Sequence, residues 1–309
     1  SLFMAIPDHP WTKATRDAAA VRIAMTVSEA GGKEGLLRHV THEAALDSDA
    51  PQIEFEERRG PINSDLTVGV DVTAAPALLA NQGLCSPGVK LHGDGFIITS
   101  QQADYLGLGK RPGLEKHIRD YRNGRDLTSR PRGAMVIDLF GLQAELVRQR
   151  YPEVYQHLQT TVKADREALL ATSQTKDSEA YARDWWLFGK PRQELRPALN
   201  GLNRYIATPV TQKHRLFEFL SGSILPDDAL MVVASSDPFI LGVLHSKSFF
   251  VWFAENSSTL EDRPRFIKSR CFDPFPFPDA TESQKATIRA VAEELDAHRK
   301  RVLADHGHL

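Results

Sequence analysis

The chain has 309 residues, of which 41% are hydrophobic and 25% charged, and a formal net charge of −2. These are the proportions of a soluble globular protein with room for one large domain or two ordinary ones. They exclude a uniformly basic nucleic-acid binder, and no apolar run reaches membrane-spanning length.

Leu2 to Ile6 is apolar and runs into Pro7-Asp8-His9-Pro10-Trp11, which reads as a turn. Ala18 to Val27 reads as a second, buried strand around Val21, Ile23, Met25 and Val27, with Arg22 as its polar exception. Two strands cannot form a stable sheet alone, so this pair is expected to need neighbours from elsewhere. The opening residues lack the basic region of a secretory signal, and the pair reads as the end of a domain. Gly31-Gly32 breaks the pattern. Leu66 to Val72 then predicts a short alternating strand, and Ala74 to Gln82 a helix closed by Gly83. Val89 to Thr99 has strand character interrupted at Gly93-Asp94-Gly95, which predicts a hairpin. Ala134 to Phe140 is a further strand.

From Leu142 to about Leu170 apolar residues recur at helical spacing with Pro152 in their midst, so two helices or one kinked helix are expected. Glu194 to Leu199 is a short helix and Leu230 to Ala234 a buried strand. Asp237-Pro238 marks a helix start, the Asp at the cap and the Pro at the first turn, with Phe239 to Phe253 following. Thr281 and Gln284 have capping-box spacing for a last helix whose apolar stripe is Ile288, Val291, Leu295 and Val302.

The charge is unevenly placed. Glu43 to Asp65 holds seven acidic residues against two basic ones. Lys110 to Arg132 holds eight basic residues: Lys110, Arg111, Lys116, Arg119, Arg122, Arg125, Arg130 and Arg132. A second knot, Arg263, Arg265, Lys268 and Arg270, follows the aromatic run Phe249, Phe250, Trp252 and Phe253. Such segregation lets a near-neutral protein offer a basic groove to phosphates, although a solvated face with internal ion pairs gives the same pattern. The Phe275-Pro276-Phe277-Pro278 run cannot be a central strand, because Pro donates nothing to the ladder. It is a stiff segment that packs its rings onto something.

Catalytic motifs are missing. Gly107-Leu108-Gly109-Lys110 lacks the remaining parts of a phosphate loop, and His39 with His42, or His306 with His308, has no third metal ligand at a sensible spacing. Cys85 and Cys271 are too few and too distant for a disulfide framework or a Cys-based zinc site, which points to a reducing, cytoplasmic setting.

Several segments nevertheless recur together in one family. Trp185-Trp186, Ile206 to Val210, Ser235 to Phe239 with Leu241 to Leu244, Trp252, Arg265 to Arg270 and Phe275 to Pro278 follow in order, preceded by Ile137 to Gly141 and Tyr151-Pro152. This arrangement resembles the C-terminal specificity domain of adenine-specific DNA methyltransferases of the TaqI-like and type IIG restriction-modification group. Ala5 to Trp11 and Ala20 to Met25 resemble the last strands of that family's methyltransferase domain.

The resemblance implies an α+β fold in three parts. Residues 1–35 would be the closing strands of a Rossmann-like methyltransferase sheet, 36–278 a DNA target-recognition domain, and 279–309 a C-terminal helix. It implies sequence-specific duplex DNA recognition for an adenine N6 methyltransferase in restriction-modification or phage defence. S-adenosylmethionine would then be the parent enzyme's cofactor, and a separate methyltransferase domain or subunit the partner.

The family's Phe-x-Gly-x-Gly cofactor loop and Asn-Pro-Pro-Tyr catalytic loop do not occur in this sequence, so the chain is expected to be inactive alone. Asp237-Pro238-Phe239 and Asp273-Pro274-Phe275 each have one Pro too few. The two basic clusters would contact phosphates. Lys90, His92 and Asp94, on the expected hairpin, would face base edges. A protein-docking scaffold of a defence complex is the alternative.

Overall fold

A computed structural model of the chain describes residues 1–11, 21–31, 34–46, 48, 50–64, 66–69, 75–129, 131–260 and 263–305. The expected residues Arg130, His306 and His308, and Ala18 to Ala20 of the second strand, lie outside them. The chain divides into two compact units, Ser1–Ala75 and Pro76–Leu309. Among the described residues no helix is long and apolar enough to cross a membrane.

The described residues of the first unit form one sheet from β1 (Leu2–Pro10), β2 (Arg22–Ser28), β3 (Gly35–Ala44) and β4 (Gln52–Gly60), in the order β2-β1-β3-β4. Three expectations change here. The Pro7 to Pro10 segment is no turn: β1 continues to Pro10, with an irregularity between Ile6 and His9 that absorbs the residue unable to donate. The orphan pair finds its missing strands within the chain, for β3 lies parallel to β1 and pairs with β4 from Gly35↔Gly60 to Ala44↔Gln52. The acidic stretch thus contributes a strand, and residues 36–60 share the sheet of residues 1–35. Finally, among the described residues β2 pairs with β1 alone and is an edge strand, with Met25 and Val27 on it and Val21 just before it exposed. Leu66 to Val72 yields only the isolated bridge Ile62↔Val68 among its described residues.

The second unit opens with a turn at Leu79–Asn81 where a helix was expected. Its position is held by the Asn81 amide, which donates to the carbonyls of Phe272, Asp273 and Phe275. In chain order follow β5 (Cys85–Pro87), β6 (Ile97–Ile98), α1 (Ser100–Tyr105), β7 (Ile118–Arg122), α2 (Gly124–Thr128) and β8 (Met135–Ile137). The helical region comprises α3 (Ala144–Arg150), α4 (Pro152–Leu158), α5 (Ala164–Thr172), α6 (Lys176–Arg183) and α7 (Leu195–Leu199). Next come β9 (Arg204–Pro209), β10 (Glu218–Ser221), β11 (Leu225–Pro226), β12 (Leu230–Val233), α8 (Pro238–Leu244) and α9 (Lys247–Asn256). The chain ends with β13 (Ser258–Leu260), β14 (Arg263–Arg265) and α10 (Glu282–Asp305).

Two four-stranded sheets, β10-β9-β12-β5 and β11-β7-β8-β6, and the ribbon β13-β14 result. The fold is therefore mixed α and β with several small sheets. Pro152 does end one helix and start the next. Asp237 does cap α8, accepting from the Phe239 amide at 2.9 Å. Thr281 and Gln284 form their reciprocal bonds ahead of α10.

An aromatic core fixes the region behind the second basic knot. Phe249, Phe253, Phe266, Phe272 and Phe275 are all 5% exposed or less, and Phe275 meets Phe249 edge-on at 4.9 Å. Phe277 is half-buried against Phe272 and Phe275. The expected stripe of α10 divides: Ile288 packs against the core, but Val291, Leu295 and Val302 are exposed, while Ala292 and Asp296 are buried. Asp296 earns its inward position by accepting the Phe219 amide at 3.1 Å.

Candidate nucleic-acid interface

Where β9 ends, Pro209 removes one donor and the chain turns out of its sheet. It is caught at once by the aromatic knot's ribbon. The Phe266 amide donates to Val210 O at 2.7 Å, the Gln212 amide to Pro264 O at 3.3 Å, and Thr211 bridges Arg265. Arg215 holds this loop from within. Only 9% exposed, its guanidinium donates to Thr208 Oγ1 at 3.1 Å, Val210 O at 3.3 Å, Pro264 O at 2.9 Å and Pro209 O. It lies 4.7 Å over the Phe253 ring and 5.5 Å from Phe266, and burial pulls its pKa down to about 10.

The loop, the ribbon and the start of α2 enclose a cleft of about 730 Å³. Arg125 enters it from α2, Lys213 and His214 from the loop, and Arg263 and Arg265 from β14. Arg263 and Arg265 are two residues apart on a strand and so share a face, while Phe266 points into the core. Among the described residues the one carboxylate in the lining, Asp228, stands 3.7 Å from the Lys90 amine. Gln212 also lines the cleft, and its amide Oε1 is buried without a hydrogen-bond partner among the described residues. Four cations lining one cleft make a surface suited to a polyanion.

The structure thus brings Arg125, Arg263 and Arg265 together from the two basic clusters, with Lys90 one ion pair away. It holds others elsewhere. Arg119 is half-buried and donates to the carbonyls of Gly222, Ser223 and Ile224, where it clamps a turn, and burial lowers its pKa. Arg132 makes a bidentate pair with buried Asp126, Arg111 pairs with Glu153, and Lys268 pairs with Asp273 at 2.6 Å. Arg122 donates to Tyr121 O and lines a different cavity, with Glu218 and Lys300. Arg270 is half-buried beside Cys271, and Lys110 and Lys116 are exposed on loops.

The expected hairpin at 89–99 does not form. β6 pairs with β8, and Gly95 lies so close to Thr161 that a Cβ there would collide with it. His92 is half-buried and stacked on Tyr181 at 4.6 Å, with Arg166 donating to its carbonyl oxygen; Asp94 is exposed at the start of a tight turn. Lys213, His214 and Gln212 escaped the sequence reading. The triplet Lys213-His214-Arg215 directly after a strand was the available signal.

No family model matches the sequence, and no curated protein matches it. Among solved structures, the type IIL restriction-modification enzyme MmeI in complex with DNA is similar, with a TM-score of 0.66 and 20% identity over 97% of this chain. The type IIG restriction endonuclease BpuSI aligns over 95% of this chain at 11% identity, but its TM-score of 0.40 is too low to bear on the argument. The chain spans 38% of the length of each of these enzymes. The likeness to MmeI establishes a fold of the kind found in restriction-modification enzymes.

Proposed function

We propose that this chain reads duplex DNA sequence on behalf of an adenine-specific restriction-modification methyltransferase, in the cytoplasm. The observation that carries the reading is the convergence of Arg125, Lys213, Arg263 and Arg265 on one cleft. The cations come from three separated stretches, and a merely solvated charge run has no reason to assemble them. That the similar MmeI structure was solved with DNA supports the same partner here.

Adenine N6 as the target, and S-adenosylmethionine as the parent's cofactor, rest on the family resemblance. Neither the cofactor loop nor the catalytic loop occurs in these residues, so methyl transfer is assigned to a separate methyltransferase domain or subunit. On this reading β1 to β4 close that domain's sheet. Fluorescence anisotropy with a labelled random-sequence duplex at low salt tests the proposal: micromolar binding is expected, and selection from randomised duplexes enriches a short motif. No binding at low salt would sink it.

A further inference from the structure

The C-terminal helix has two faces of different character. One is docked: Asp296 caps Phe219, Arg289 pairs with Asp237 at 2.8 Å, and Arg204 pairs with Glu293. The other carries Val291, Leu295 and Val302 at 61%, 43% and 42% exposure. With His298, also exposed, these residues are spaced four, three and four apart, which is the seam of a coiled coil. Glu294 and Arg301 flank the seam on one side, exposed, and neither makes an ion pair among the described residues.

We propose that this face binds a second copy of the chain through the same helix, antiparallel. The choice of partner follows from charge and register. Turned end for end about an axis between residues 296 and 297, two copies set Val291 against Val302 and Leu295 against His298. Glu294 then meets Arg301, and each pairing occurs twice, as two-fold symmetry requires. A parallel pair would set His298 on itself and aim Glu294 at Arg299. Arg299 is held inward by Glu218 and the Leu127 carbonyl. Because the docked face already orders the helix, association does not have to fold it.

Sedimentation velocity of the full chain over a wide concentration range tests this. A reversible monomer–dimer equilibrium is expected, abolished by Leu295→Glu at unchanged melting temperature. Glu294→Arg or Arg301→Glu alone juxtaposes like charges in both symmetric pairs and should weaken the dimer by about tenfold. The double reversal E294R/R301E should restore it. A chain that stays monomeric at about 500 µM, a dimer indifferent to Leu295→Glu, or a double reversal no better than the singles overturns the proposal.

Discussion

Replacing Arg263 and Arg265 together by Gln removes half of the cleft's four cations, Arg125, Lys213, Arg263 and Arg265. Each neutralised phosphate releases counterions and contributes about −0.9 to the slope of log K against log salt. Four contacts therefore give the parent a slope near −3.6, or about a 150-fold loss of affinity between 50 and 200 mM salt. The double variant should fall to near −1.8, or about a 12-fold loss over the same range. Both side chains are exposed and the core contact of β14's segment is made by Phe266, so the fold should be untouched. Lys268→Gln is the matched control, since its side chain does not line the cleft and should leave the slope unchanged. Anisotropy titrations at four or more salt concentrations measure all three slopes. A parent slope shallower than about −1.5, or a double variant that keeps the parent's slope, refutes the assignment of the cleft.

Phe275→Ala should destabilise the chain by about 3–5 kcal/mol, because the ring is 5% exposed and meets Phe249, Trp252 and Phe277. Phe277→Ala, at a half-buried ring, should cost about half as much, and urea midpoints separate the two. Asp237→Ala removes the cap of α8 and the partner of Arg289, and about 1–2 kcal/mol is expected in the same assay.

Glu218 gives a pH dependence. Burial pushes its carboxyl up from 4.5 to about 7, against the opposing pull of Arg299 and Lys300. The folded chain then holds a proton that the unfolded chain has released, so this group's contribution to stability falls as pH rises from about 4.5 to about 7, by up to about 3 kcal/mol. Glu218→Gln should flatten that decline in melting temperature between pH 5 and pH 8, and an unaltered slope would exclude Glu218 as its source.

The legible parts of this fold are those with local causes. Asp237-Pro238, Tyr151-Pro152 and Thr281 with Gln284 act within one turn of themselves, and they stand where the sequence places them. Features decided by distant partners were misread. Val21 to Val27 has the composition of a buried strand, but a sheet edge exposes it; Gln52 to Gly60 alternates Ile53 and Phe55 with glutamates, and the acidity hid the strand. On α10 the apolar stripe holds at Ile288 and fails beyond it, where a backbone amide on β10 draws Asp296 inward. The site divides likewise. Sequence proximity grouped Arg119 with Arg125, yet three carbonyls of one turn take up the first while the second reaches the cleft. Lys213 joins them only because Arg215, outside both basic runs, brings its loop back.

Arg215 has one more consequence. Apart from Thr208, every acceptor it holds is a main-chain oxygen, and so are those that tie Gln212 and Phe266 across the gap. Main-chain oxygens persist whatever side chain their residue bears. The outward positions Thr211, Gln212, Lys213, His214, Arg263 and Arg265 are thus mounted on a chassis indifferent to their identity. Exchanges among them change what the wall displays while the wall itself keeps its shape, so this face can be remodelled by a handful of surface substitutions without the chain relearning how to fold.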